Sequence, residues 1–305
     1  MNFKLPVLFL TAFIVTITAY GQTENSVAVT PHWKKDETHA VKIKSTTTDN
    51  KDGKAQSYVS AFDARFIVKA VSDSGYQVEW TYSNAVLAGN EPVVENQVLA
   101  KLTNTKLLIR LSATGRFAEL LNADEVKTAA NKVVDELIAN SAANPTMNAQ
   151  YKAAKQLIAT KQGLEVALLK QIKFYNFSFG FRYKLNFVQT NNIKFPNPLG
   201  GQPFDAVEKV QLTKLDTKNS VCTIETSKII DGNLLKTAVT DYIKKATNSN
   251  QQAIDEMNKA SLEITENSMQ QLDFSKGIIQ RSSFQRIMNL GFQNRTSLLE
   301  IDAAD

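Results

Sequence analysis

The chain carries one cysteine and two histidines in 305 residues. A single thiol excludes an intramolecular disulfide and a cysteine cluster for metal. Cys222 lies in a strand-like run between Val221 and Ile224, which predicts a buried, inert thiol. His32 and His39 lack the further ligands of a zinc site. No Gly-x-Ser-x-Gly or His-Glu-x-x-His pattern supplies them with a reaction, so both are expected to be exposed and without a role. Asp49, Asp52 and Gly53 lack the alternating oxygens and closing glutamate of a calcium loop. Gly200-Gly201 lacks the lysine and helix start of a phosphate loop. No catalytic residue, metal or cofactor is therefore assigned, and the chain is not expected to be an enzyme. Charge of one sign is also scarce: 35 Lys and Arg face 30 Asp and Glu, for a net +5 spread along the chain. Nucleic-acid binding is not indicated.

What is present begins with a leader. Met1-Asn2-Phe3-Lys4 precedes an apolar run from Leu5 to Ala19, followed by Tyr20, Gly21 and Gln22. A positive start, an apolar core and small residues match a signal peptide over residues 1–21, with cleavage near Gly21. No later run approaches the ~20 apolar residues of a membrane span. The expectation is an exported protein, periplasmic or extracellular, soluble after cleavage.

Residues 22–38 suggest an extended lead-in. His39–Thr48, Gln56–Val71 and Tyr76–Tyr82 alternate as strands around turn residues, and Leu107–Leu111 with Arg116–Leu121 form another hairpin. Residues 83–105 look looser, broken at Gly89-Asn90-Glu91-Pro92. Asn122 and Glu125 suit a capping box for a helix bearing Val126, Ala130, Val133, Val134 and Leu137. Asn144-Pro145 opens a second helix, with Gly163 as a kink. Val207–Leu215 pairs with Ser220–Lys228, helical spacing returns after Gly232, and an amphipathic helix is read through 248–267. Met269–Asp273, Ile278–Leu290 and Arg295–Ile301 close the chain as strands. The predicted fold is α+β: a curved, mostly antiparallel sheet built from hairpins, covered by amphipathic helices over about 122–178 and 231–266. It forms one domain over 22–305, with two loosely similar halves, 22–178 and 179–305, as the alternative.

The stretch from Tyr175 to Phe187 is the most distinctive. Tyr175, Phe177, Phe179, Phe181, Tyr183, Leu185 and Phe187 alternate with polar or small residues, an apolar wall if the run is extended. Ile172, Tyr175 and Phe179 also fit helical spacing, so helix to about Ser178 and strand from Phe181 to Gln189 is the favoured division. Phe62, Phe66, Trp80, Tyr82 and Phe204 stand as neighbours of this wall. Two uses follow. The wall packs against the helices as ordinary core, or it leaves room for an acyl chain or other apolar ligand. The candidate ligand-binding residues are Phe177, Phe179, Phe181, Tyr183, Phe187, Trp80 and Phe204.

Several of these features resemble a broad group of exported Bacteroidota proteins without an assigned activity. They are the leader ending before glutamine, Trp33-Lys34-Lys35-Asp36-Glu37 before a Lys/Thr-rich strand, Asp73-Ser74-Gly75-Tyr76 before Val78-Glu79-Trp80, and Gly200-Gly201-Gln202-Pro203-Phe204. The group carries glycine near Asp36, where this chain does not. The layout is also similar, in architecture alone, to lipoprotein-carrier-like folds, in which a curved antiparallel sheet holds lipid against helices. The resemblance implies an exported α+β protein without an assigned activity, and the Tyr175–Phe187 wall leads to the expectation of a non-enzymatic envelope protein that binds an apolar small molecule, a lipid or a lipid-modified partner between sheet and helices. The alternative is a structural or protein-interaction module with a filled core and an envelope protein partner on an exposed edge or loop.

Overall fold

A computed structural model describes residues 25–51, 54–89, 93–197, 202–246, 255, 262–291 and 293–304. The leader and its cleavage point, the tip of the first hairpin, most of the proline-glycine loop near Gly200 and nearly all of 247–261 lie outside the described residues.

The fold is α+β, as its hairpin spacing predicts. Eleven strands form one sheet in which every neighbour runs antiparallel. In chain order they are β2 (Thr38–Lys51), β3 (Lys54–Ser72), β4 (Gly75–Ala88), β5 (Leu107–Ser112), β6 (Phe117–Leu120), β8 (Val188–Phe195), β9 (Phe204–Asp216), β10 (Val221–Ile230), β11 (Glu263–Asp273), β12 (Ile278–Asn289) and β13 (Asn294–Ala304). Their spatial order is β6-β5-β4-β3-β2-β13-β12-β11-β10-β9-β8. The centre of the sheet thus joins β2 to β13, from Ala40 opposite Ala304 to Asn50 opposite Asn294. Register shifts mark β-bulges in β3 and between β11 and β12, which add local twist to these long strands.

Five helices cover one face: α1 (Val94–Lys101), α2 (Ala123–Asn140), α3 (Pro145–Leu157), α4 (Lys161–Leu168) and α5 (Lys170–Tyr175). α1 falls in the segment read as loose. Val94, Val98, Leu99 and Leu102 form its buried side, but Val93 supplies no side-chain cap and Pro92 precedes it, so the start carries no signal. Asn122 differs from its expected capping role. Its Oδ1 accepts from the Leu108 amide at 2.9 Å and its Nδ2 donates to the Lys106 carbonyl, so it ties α2 to β5. Asn144 does cap α3, accepting from the Met147 amide at 3.1 Å. The helix expected to continue to Ser178 is three helices. Thr160 restarts the chain by accepting from the Gly163 amide at 3.0 Å. Gly163 is therefore not a kink but a close approach: a Cβ there would lie 1.8 Å from the Leu157 carbonyl oxygen.

The expected strand from Phe181 to Gln189 is also divided. β7 (Phe181–Lys184) leaves the large sheet and pairs with β1 (Ser26–Val29), inside the lead-in segment. Asn186 takes a left-handed φ of 58°, its amide donates to the Leu212 carbonyl, and β8 starts afresh beyond it. α6 (Gly232–Ala246) begins where expected, with Asp231 accepting from the Asn233 and Leu234 amides. Residues 263–266 are strand rather than the end of a helix. The lead-in is pinned as well. Trp33 Nε1 donates to the Gly277 carbonyl at 2.9 Å, and a Cβ on Gly277, at φ 67°, would meet Thr30 and Pro31 backbone at 2.4 Å. Asp36 sits at φ 67°, a conformation that glycine relaxes.

Candidate functional site

The helix-covered face holds two separate apolar clusters. The larger joins β2–β5, β9–β13 and helices α1–α5, with Phe66, Trp80, Tyr82, Tyr175 and Phe179 among its buried residues. The smaller gathers Phe195, Phe204, Ala206, Ile230 and Ile264 with Leu235, Val239 and Ile243 of α6.

Between them runs a polar row that alternation alone does not predict. Residues directly opposed across the strands are Asn191, Glu208, Lys228, Glu266, Arg286, Ser297, Thr47 and Tyr58, one from each of eight successive strands. Each lies in phase with the apolar core positions of its strand, since successive inward residues recur every second place. Most rungs of the row are bonded. Asn191 donates to Glu208 at 3.2 Å, Lys228 reaches Glu208 at 3.7 Å and Glu266 at 3.4 Å, and Arg286 Nε donates to Glu266 at 2.7 Å. Ser297 and Thr47 share a long hydroxyl contact of 3.5 Å. The Glu266 side chain is only 6% exposed and accepts from both cations. That placement meets the requirement that a buried charge be paired. Two places along β2 from Thr47, on the same face, Asp49 pairs with Arg295 at 2.5 Å and accepts from Gln293.

Two hollows lie along this row. One of about 840 Å³ sits between sheet and helices: Thr47, Asp49, Gln56, Tyr58 and Arg295 line the sheet side, and Val94, Ala153, Ala154 and Leu157 line the helix side. A smaller one of about 70 Å³ is bounded by Phe174, Phe177, Phe284, Thr226, Lys228 and Glu266. Lys170, at the start of α5, stands over the Phe284 ring with Nζ 5.5 Å from its centre. Lys170 is exposed and borders neither hollow, although protein partly buries its ammonium. That burial, helped by Arg286, lowers the pKa of its ammonium, against smaller opposite effects of Glu266 and Glu95.

The structure disperses the predicted wall. Trp80 and Phe179 are core, within a ring cluster that also contains Phe66 and Tyr175, so for these residues the wall packs as ordinary core. Tyr183 is buried and donates to the Ser178 carbonyl at 3.0 Å. Phe204 belongs to the other cluster, opposite Phe195. Phe181 and Phe187 are 38% and 59% exposed, and Phe187 lines a separate hollow of about 480 Å³ together with Tyr183, Arg182, Lys184 and Val210. Of the seven residues, Phe177 alone borders the smaller hollow, and none borders the larger. The cause is the break after α5. Gln270 donates to the Phe174 carbonyl at 2.8 Å and accepts from Ser178, fixing a turn over residues 176–180, so odd and even positions do not keep to two faces.

His39 also departs from expectation. His32 is exposed, but the His39 ring stacks on Phe66 with centroids 4.6 Å apart, and only 9% of its side chain meets solvent. Burial lowers its pKa, with Glu37 opposing. Cys222 is fully buried, and burial pushes its thiol up to about 12. A thiol reagent at neutral pH should therefore leave the folded protein unmodified and label one site per chain in urea. Rapid labelling of native protein would contradict this placement. Among the described residues, no three of His, Cys, Asp and Glu are grouped so as to hold a metal ion, and no helix is long and apolar enough to cross a membrane.

The residues missed by sequence reasoning are Glu208, Lys228, Glu266, Arg286 and Lys170. Their signal was present as charge in the inward phase of a strand: Ile224, Thr226, Lys228, Ile230, for example. For Glu266 the reading of 248–267 as helix hid that phase.

No family model matches the chain, and neither does any curated protein. Among solved structures it is similar to a lipovitellin described for its lipid–protein interactions, at 11% identity over 89% of this chain, with a TM-score of 0.45. The chain spans 25% of the length of that lipovitellin. It is also similar to a Bacteroides fragilis protein described as exported with a YmcC-like fold, at 10% identity over 92% of this chain and 100% of that one, TM-score 0.24. DynF of dynemicin biosynthesis in Micromonospora chersina overlaps at 9% identity over 98% of this chain and 92% of its own, TM-score 0.19. Overlaps this loose carry no function.

Proposed function

We propose that the chain is a non-enzymatic, exported binder that holds an apolar-tailed ligand, or the lipid of a modified partner, between its sheet and its helices. One observation supports this reading: the hollow of about 840 Å³ between Tyr58 and Arg295 on the sheet and Val94 and Leu157 on the helices. Its volume falls in the range of roughly 300–1,000 Å³ usual for small-molecule sites. The helix side, largely apolar apart from Glu95 and Gln150, faces a polar sheet side, which suits a ligand with two different ends. Native mass spectrometry of protein isolated from bacterial cells should show an adduct of lipid mass that solvent extraction removes. Bare spectra from cells, together with no uptake of added amphiphile, would overturn the reading. Val188, exposed at the start of the edge strand β8, and Phe187, exposed just before it, favour partner binding as the second reading. A crosslinked envelope protein on that edge, with an empty hollow, is its signature.

A further inference from the structure

We infer that the hollow of about 480 Å³ between β7 and β8 is a second binding site, for a small molecule that carries a carboxylate or phosphate on an apolar body. It shares no bordering residue with the hollow of about 840 Å³, so it stands apart from the binder reading.

The hollow exists because two consecutive strands part. β7 pairs with β1 and β8 with β9, so the turn at Asn186 sends them into different sheets. Arg182, Tyr183 and Lys184 border the space before that turn and Phe187 and Gln189 after it. Val210, opposite Gln189 on β9, borders it from the large sheet. Side chains alternate across a strand, so three successive residues at one hollow place it beside the edge of β7 rather than over one face. That edge carries donors. The Leu185 amide donates to the Asn25 carbonyl, and bonded places alternate along an antiparallel pair, so the amides of Lys184 and Arg182 turn away from β1. Among the described residues, no carbonyl beyond the ribbon accepts from either amide.

The charge of the hollow is one-sided. Arg182 and Lys184 are the only charged residues among the described ones that border it, and neither forms an ion pair with a described residue. Across the ribbon they stand opposite Ala28 and Ser26, which supply no counter-charge. The acid closest to Val210 along β9 is Glu208, already held by Asn191 and Lys228. Arg116, whose guanidinium lies 4.6 Å from the centre of the Phe181 ring, adds positive charge to the same ribbon. A guanidinium, an ammonium and two outward amides suit an oxyanion, which can accept from all of them.

The rest of the wall is apolar. Phe187 presents a ring that is more than half exposed, and Val210 presents a buried aliphatic side chain. Tyr183 donates its hydroxyl to the Ser178 carbonyl at 3.0 Å, so it offers the hollow ring surface and no free donor. A volume of about 480 Å³ lies within the roughly 300–1,000 Å³ of small-molecule sites and exceeds what an inorganic anion fills.

The test is calorimetric titration of the full chain with phenylbutanoate, phenylbutyl phosphate, phenylbutanol, phenylbutylammonium and inorganic phosphate. Both phenyl anions should bind at least about tenfold more tightly than the alcohol, with the ammonium weakest. Arg182→Gln combined with Lys184→Gln should bring both anions down to the alcohol. Phe187→Ala should weaken every phenyl probe about fivefold and keep their order. All three residues are exposed, so the variants stay folded. Preference between carboxylate and phosphate then identifies the head. Equal binding of alcohol and carboxylate, or anion binding that the double variant leaves unchanged, would overturn the site. Inorganic phosphate bound as tightly as the phenyl anions, with Phe187→Ala silent, would overturn the apolar body. Binding of no phenyl probe would overturn the whole inference, while a lipid adduct that persists in the double variant would leave the binder reading standing.

Discussion

Truncating Phe66 to alanine should lower the free energy of unfolding by about 3–5 kcal/mol, read as a fall in the urea midpoint at unchanged slope. Phe66 is 1% exposed and central to the ring cluster. It stacks on Trp80 with an interplanar angle of 3°, and lies 5.1 Å from Trp33, 4.6 Å from His39 and 5.6 Å from Tyr175 between ring centres. Those partners come from the lead-in, from β2, from β4 and from α5, so the cavity left by alanine cannot be filled by one neighbour moving. Against a usual total stability of about 5–15 kcal/mol, the loss is a large share. Phe187→Ala is the contrast. More than half of that ring meets solvent, and its removal should change stability by less than about 0.5 kcal/mol. A small loss at Phe66, or an equal one at Phe187, would mean that the core lies elsewhere.

The second large effect is expected at Glu266. Its carboxylate is almost fully buried and is shared by Lys228 and Arg286, so Glu266→Ala leaves Arg286 with no ion pair and Lys228 with only Glu208. Breaking one partner of a fully buried pair costs about 3–5 kcal/mol, and the expected loss here is near the lower end, about 3 kcal/mol. The reason is solvent: the Arg286 side chain is 42% exposed and that of Lys228 is 26% exposed, so water screens part of the charge left behind. Replacing all three together, Lys228→Met, Glu266→Leu and Arg286→Met, should be close to neutral, because no uncompensated charge remains. Urea unfolding at neutral pH distinguishes the two. Should the single variant prove as stable as the parent, the charged row is held by water and not by its own pairs.

How far the sequence disclosed this molecule depends on which signal each residue left. The hairpins were legible because a period of two and a turn at Asp73-Ser74-Gly75 or Asp216-Thr217-Lys218-Asn219 are local facts, and β4, β9 and β10 lie close to where that pattern places them. Helix α2 was legible from its apolar stripe. α1 was not, because eight residues without a capping side chain leave little pattern. The aromatic run misled for a different reason. Alternation along a sequence becomes two faces only if the backbone stays extended, and here hydrogen bonds from Gln270, distant in sequence, hold a turn within it. The hollow was not legible at all. It arises from Tyr58, Arg295 and Leu157, which lie on three elements far apart in the chain, and only the pairing of β2 with β13 brings the first two together. The chemistry of the inward charges could have been suspected strand by strand, but their alignment into one row depends on the register of seven successive pairings.

The junction of β2 with β13 has a kinetic corollary. Before the last strand is in place, β2 has β3 on one flank and open amides and carbonyls on the other. That flank stays unmatched until Asn294 and the residues beyond it dock. Exposed strand borders of this kind invite pairing with foreign chains, and contacts so distant in sequence form late. Until the final strand closes that seam, the sheet exists only as two incomplete halves, β6 to β2 and β12 to β8, vulnerable along their shared border and dependent on whatever escorts them.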